Sequence, residues 1–110
     1  MTTMGNDGGR MTRLAQGEVD TLLAGKQGWT LEEGKWIVKK YRFPSFAASI
    51  NFVNQVAAVA EELNHHPMIA IDYRMVTLRL TSWNAGGLTL LDFACAERFD
   101  RAMEAGSRAG

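Results

Sequence analysis

The stretch SFAASINFVNQVAAVAEEL, residues 45 to 63, constrains the fold more than any other part of the chain. Phe46, Ile50, Val53, Ala57 and Ala60 recur at three- and four-residue spacing, which predicts a helix from Phe46 to about Leu63. Pro44 and Ser45 precede it, and a serine hydroxyl there can accept one of the unpaired N–H groups of the first turn. Phe52, Val56 and Val59 widen the apolar arc beyond a single stripe. A helix this apolar needs cover on more than one side, which a sheet and another subunit can supply.

The segments on either side have a different period. Trp29 to Phe43 reads as a hairpin with Gly34 in its turn. Trp36, Val38, Lys40 and Arg42 fall on one side of its second strand, and Ile37, Lys39, Tyr41 and Phe43 on the other. Ile69 to Tyr73 and Met75 to Thr81 read as two more strands. In the latter, Val76, Leu78 and Leu80 alternate with Thr77, Arg79 and Thr81, as a strand with one buried face requires. A first helix is expected over Thr12 to Leu23, with Leu14, Val19, Leu22 and Leu23 on its apolar side and Gly25 and Gly28 ending it. The stretch SWNAGG is a loop. Thr89 and Asp92 then have capping-box spacing ahead of the last helix, LLDFACAERFDRAM. The order helix, two strands, helix, two strands, helix predicts an α+β fold: a four-stranded antiparallel sheet with three helices packed on one face. Residues 12 to 105 form a single domain in this reading, between a polar, glycine-rich disordered tail at 1 to 11 and a frayed end at 106 to 110.

Charge narrows the function. Twelve Lys and Arg balance twelve Asp and Glu, so no global positive field exists and direct nucleic-acid binding is not expected. No apolar run approaches the roughly 20 residues of a membrane span. No basic-then-apolar start suggests a secretory signal, so the cytoplasm is the expected compartment. Cys95, the single cysteine, has apolar neighbours and reads as a small buried thiol.

The two histidines, His65 and His66, are adjacent and followed by Pro67. Imidazole gives or takes a proton near neutral pH. At a helix-to-loop junction both rings can line one cleft, and Pro67 restricts His66 to extended geometry. A plain alternative is a polar helix end favoured by the helix dipole. HExxH, GxSxG, GxGxxG and the P-loop are all absent, so metal, serine-nucleophile and phosphate-loop readings have little support. Trp83 is either core or a flat wall for an aromatic ring. Asp92 can close the cap at Thr89, which leaves a second duty open. Gly86 and Gly87 read as a turn.

Several stretches together carry a resemblance. YRFPSFAASINFVNQVAAVAEELNHHP, then Tyr73 and Val76, then LTSWNAGGLTLLD and FACAERFD resemble the pterin-4a-carbinolamine dehydratase (4a-hydroxytetrahydrobiopterin dehydratase) family over about residues 29 to 100. The linked pattern is Glu61, His65-His66-Pro67, Tyr73, Trp83 and Asp92. The resemblance implies a lyase that converts 4a-hydroxytetrahydropterin to quinonoid dihydropterin and water, in pterin recycling. The pterin is the substrate, and neither cofactor nor metal is implied. His65 and His66 would be catalytic, and Glu61, Pro67, Trp83 and Asp92 substrate-binding. The family fold implies a homodimer or homotetramer. Some relatives serve as assembly or dimerisation modules, so a noncatalytic or weakly catalytic member with a protein partner is the alternative. Two departures bear on activity: Trp83 stands where the family usually has a third histidine, and Met68 where it usually has an acidic or similar polar residue. Against the resemblance, these departures point to a lower rate, a different balance between substrate stereoisomers, or a noncatalytic member.

Overall fold

The computed structural model describes residues 12 to 109; the tail expected at 1 to 11 lies outside them. In chain order the elements are α1 (Gln16–Ala24), β1 (Thr30–Glu32), β2 (Trp36–Arg42), α2 (Phe46–Leu63), β3 (Met68–Asp72), β4 (Met75–Leu80), a 3-10 turn (Trp83–Ala85) and α3 (Leu90–Ala109). The strands form one antiparallel sheet in the order β1-β2-β4-β3. The three helices complete the expected α-β-β-α-β-β-α architecture. Val76, Leu78 and Leu80 of β4 are fully buried while Thr77 and Arg79 stay half-buried, the alternation read from the sequence. With Ile37 and Tyr41 of β2 they form the core against Phe52 and Val56 of α2, and Phe93, Ala96 and Phe99 of α3.

Polar contacts fix the sheet to α3. The Asp100 carboxylate accepts from Trp29 Nε1 at 3.1 Å, Lys39 Nζ at 2.9 Å and Tyr41 Oη at 2.6 Å. Burial, together with this carboxylate, holds the Tyr41 phenol well above its ordinary range.

Several boundaries differ from the sequence reading. α1 begins at Gln16, not Thr12, because the chain before it is held extended: Leu14 N–H donates to Leu88 O at 2.8 Å. The extended Ala15 in turn donates its N–H to Glu18 Oε1 at 2.8 Å. Tyr73 and Thr81 fall just beyond β3 and β4, and Tyr73 takes a φ of 54° in the turn between them. α3 extends to Ala109, past Gly106, where the apolar pattern stops.

α2 has the expected bounds but a different buried stripe. Ser49, Phe52, Val56 and Ala60 face inward, whereas Phe46 is 51% exposed and Ala57 is exposed too. The apolar arc is wide enough to admit either line. Packing selects the one containing Ser49, whose buried hydroxyl donates to Ser45 O at 3.3 Å.

The ends of α2 bear directly on the site. Ser45 Oγ accepts from Ala48 N–H at 3.1 Å, so the expected cap is present. At the other end Asn64 adopts a left-handed φ of 52°. Asn64 N–H donates to Glu61 O at 3.3 Å and His65 N–H to Ala60 O at 3.0 Å, the paired bonds of a Schellman ending. The chain therefore turns sharply at the histidines and then enters β3.

Candidate active site

The turn after α2 directs His65 at the first turn of α3. His65 Nε2 lies 2.6 Å from Asp92 Oδ1, although the two are 27 residues apart. Asp92 is 0% exposed and the His65 side chain only 12%. Asp92 Oδ2 accepts from Ser82 Oγ at 2.8 Å and from Thr89 N–H at 2.9 Å. Leu91 N–H donates to Thr89 Oγ1 at 3.2 Å, so Thr89 and Asp92 do cap α3. Asp92 thus has both duties: one oxygen closes the cap and the other holds an imidazole.

His66 is tied differently. Its Nε2 lies 2.6 Å from Glu61 Oε2, back along the last turn of α2. This pair is open to water, with the His66 side chain 54% exposed. The adjacent rings are anchored on different partners, one on α3 and one on α2. A carboxylate is acceptor-only, so each Nε2 carries the donated hydrogen. Nδ1 is left as the nitrogen of each ring with no protein partner among the described residues. A neutral imidazole held this way offers its Nδ1 lone pair as a base, and a charged one offers an Nδ1–H as an acid.

Trp83 is 75% exposed, which sets aside its core reading. Its ring packs edge-on against Trp36, with centroids 5.1 Å apart and planes at 84°, leaving ring surface open to solvent. The turn that presents it is closed by Gly86 at φ 77°, a conformation suited to glycine. Pro67 is half-buried and Met68 exposed at the start of β3. Tyr73 is exposed, with Arg74 over its ring at 5.2 Å.

Ser82 escaped the sequence reading. It is nearly fully buried and sits one residue before Trp83. A serine in an SWNAGG loop carries no local mark of its contact with Asp92. Cys95 is buried, as its neighbours suggested; burial and the nearby Asp92 push its thiol up to about 12, well outside nucleophile range. Two clefts of about 530 and 810 Å³ lie elsewhere, along β2 and α3 and between α2 and α3, and neither is lined by the histidines. Among the described residues no group of three or more His, Cys, Asp or Glu is placed to hold a metal ion.

Two imidazole–carboxylate pairs lie where the central helix ends, and Ser82, the residue before the open Trp83, contacts the carboxylate of one of them. Imidazoles are among the groups that can transfer protons. A family model for pterin 4 alpha carbinolamine dehydratase matches residues 12–102, and the chain belongs to that family. A relative from Chloroflexus aggregans, assigned by name to pterin-4-alpha-carbinolamine dehydratase, is 43% identical over 93 residues, 84% of this chain and 99% of its own. One from Roseiflexus sp. (strain RS-1), with the same assignment, is 46% identical over 92 residues, 84% of this chain and 98% of its own. Among solved structures, a transcriptional coactivator/pterin dehydratase from Brucella melitensis superposes with a TM-score of 0.79 at 29% identity, over 83% of this chain and 98% of that one. A pterin dehydratase-like protein identified as a RuBisCO assembly factor in the alpha-carboxysome gives a TM-score of 0.59 at 26% identity, over 69% and 89% of the two chains.

Proposed function

We propose that the protein dehydrates 4a-hydroxytetrahydropterin to quinonoid dihydropterin and water, a step in pterin recycling. The main support is the 2.6 Å contact between His65 and the water-excluded Asp92, one residue from a second, open imidazole, in a chain of this family. The reaction breaks the C4a–O and N5–H bonds and forms a C4a=N5 double bond. The leaving hydroxide takes one proton from an acid and departs as water, while the N5 proton passes to a base. Electrons move within the ring, so no net oxidation occurs. His65 and His66 divide substrate holding and proton transfer. Asp92 orients His65, Glu61 orients His66, and Pro67 keeps the backbone of His66 extended. Trp83 walls the bicyclic ring. An indole cannot serve as an acid or base here, so turnover is slower than with a third imidazole at that position.

The same reading makes the protein a cytoplasmic homo-oligomer. Among the described residues no helix is long and apolar enough to cross a membrane. Edge strand β3 is exposed along its whole length, with Met68, Ile69 and Ile71 uncovered. That exposed edge also favours a second reading, a protein assembly module, the role described for the carboxysomal relative.

Freshly generated 4a-hydroxytetrahydropterin, mixed with purified protein, tests the first reading. Dehydration above the buffer rate is expected, with losses in His65→Ala and His66→Ala. A wild-type rate equal to buffer removes the dehydratase reading. Capture of a specific partner, insensitive to both substitutions, would then favour the module.

A further inference from the structure

We propose that Ser82 is a positioning residue of the histidine site, which through Asp92 sets the nitrogen of His65 that carries the proton. The direction of every hydrogen in this chain of contacts is fixed by chemistry. Asp92 accepts only, so Ser82 Oγ–H points to Asp92 Oδ2 at 2.8 Å. That commits the single Ser82 hydrogen. The 2.9 Å contact between Ser82 Oγ and Thr89 Oγ1 is then filled by the Thr89 hydrogen, donated to Ser82. His65 Nε2–H donates to Asp92 Oδ1 at the far end. Thr89 donates to Ser82 and Ser82 to Asp92, while His65 donates to the same carboxylate from the other side, which leaves its Nδ1 lone pair facing away from it.

The backbone makes Ser82 suited to this. Ser82 N–H donates to Gly87 O at 3.1 Å, and Ser82 O accepts from Ala85 and Gly86 at 3.1 Å and from Gly87 at 3.3 Å. The loop carrying Trp83 hangs from this one clamped residue. It is 1% exposed, with its oxygen between Thr89 Oγ1, just before α3, and Asp92 Oδ2 in its first turn. Removing that oxygen takes one of three donors from a wholly buried carboxylate and leaves the Thr89 hydroxyl without its acceptor. A buried group in that state reorients, and Asp92 is free to rotate away from His65.

The consequence for turnover rests on the dehydratase reading; the tautomer does not. The chain holds two histidines, so its ring ¹⁵N spectrum has two sets of signals, assigned with His66→Gln. At a pH where the wild-type ring ¹⁵N shifts no longer change, His65 is expected to show one tautomer, protonated at Nε2. In Ser82→Ala the His65 signals move toward a tautomer mixture while those of His66 stay in place, and Ser82→Thr restores the first pattern. In the dehydration assay Ser82→Ala lowers kcat by about 10- to 100-fold with little change in KM, the size expected of a misplaced catalytic group. Circular dichroism confirms folding of each variant, and Ser82→Cys replaces Ser82→Ala if the latter unfolds. Unchanged His65 signals in a folded variant overturn the proposal, as does a tautomer change at His66 of equal size. A wild-type protein with no turnover but a His65 pattern that follows Ser82 leaves the relay supported and removes the dehydratase reading instead.

Discussion

Asp92 shows how much one side chain can be asked to do. Three donors converge on its carboxylate: His65 Nε2, Ser82 Oγ and Thr89 N–H. Each was shed by water on folding, so truncation leaves all three facing nothing. Asp92→Ala is therefore expected to destabilise the fold by about 2 kcal/mol or more, measured by urea unfolding. A loss below about 0.5 kcal/mol, the ordinary range for a surface change, would mean that the network holds nothing in place. Capping at Thr89 was legible from the three-residue spacing alone, because a cap is a local device. The contact with His65 could not be read from spacing, since its partners are 27 residues apart and meet only where α2 ends against the start of α3. Only the family resemblance offered Asp92 as a group that orients an imidazole or binds substrate. Ser82 had no signature of any kind. The exposed ring of Trp83 was one of two readings, and its exposure in the folded chain, on a loop held by the clamped Ser82, decides between them.

At the scale of elements, α2 delivers the histidines. Its start was readable because the signal is local, Ser45 accepting from Ala48, and its stop because the apolar pattern ends at about Leu63 ahead of Pro67; the left-handed Asn64 that closes it was not read. Its buried line was less readable. Counting only apolar residues favours Phe46, Ile50 and Val53, while the packed line runs through Ser49, a small polar residue that hides its hydroxyl on Ser45 O. β4 left no such ambiguity, since its strict alternation has only one inward set. The left-handed Asn64 sets the direction of His65 and His66. Asn64→Gly keeps this conformation without strain, and Asn64→Ala incurs a penalty of about 1 kcal/mol. Chemical denaturation is expected to place Asn64→Ala below both wild type and Asn64→Gly, with a lower dehydration rate as well. Equal stability of the Ala and Gly variants would show that the turn does not depend on this residue.

Across the whole molecule, ion pairs link elements that are distant in sequence. Glu32 on β1 reaches Arg79 on β4, Glu62 on α2 reaches Arg98 on α3, and Glu97 on α3 reaches Lys26 beyond α1. Hydrogen bonds from these cations hold all three carboxyls below their ordinary value of 4.5. A folded value below the unfolded one means that the stabilisation is complete above the unfolded value and fades as pH falls through the folded one. The melting temperature is therefore expected to fall from about pH 4.5 downward, and salt to shrink the difference, because these pairs lie in solvent. A melting temperature constant from neutrality to about pH 3 would contradict this. Function at this scale depends on α2 and α3 meeting correctly, since Glu61 belongs to α2, Asp92 to α3, and the two histidines to the turn that follows α2. The most direct measurement is the initial dehydration rate of 4a-hydroxytetrahydropterin by wild type and by the double variant His65→Ala, His66→Ala. The account predicts a wild-type rate above buffer and a fall of about 10²- to 10⁴-fold in the variant. Equal rates for the two proteins, with both folded, would contradict it.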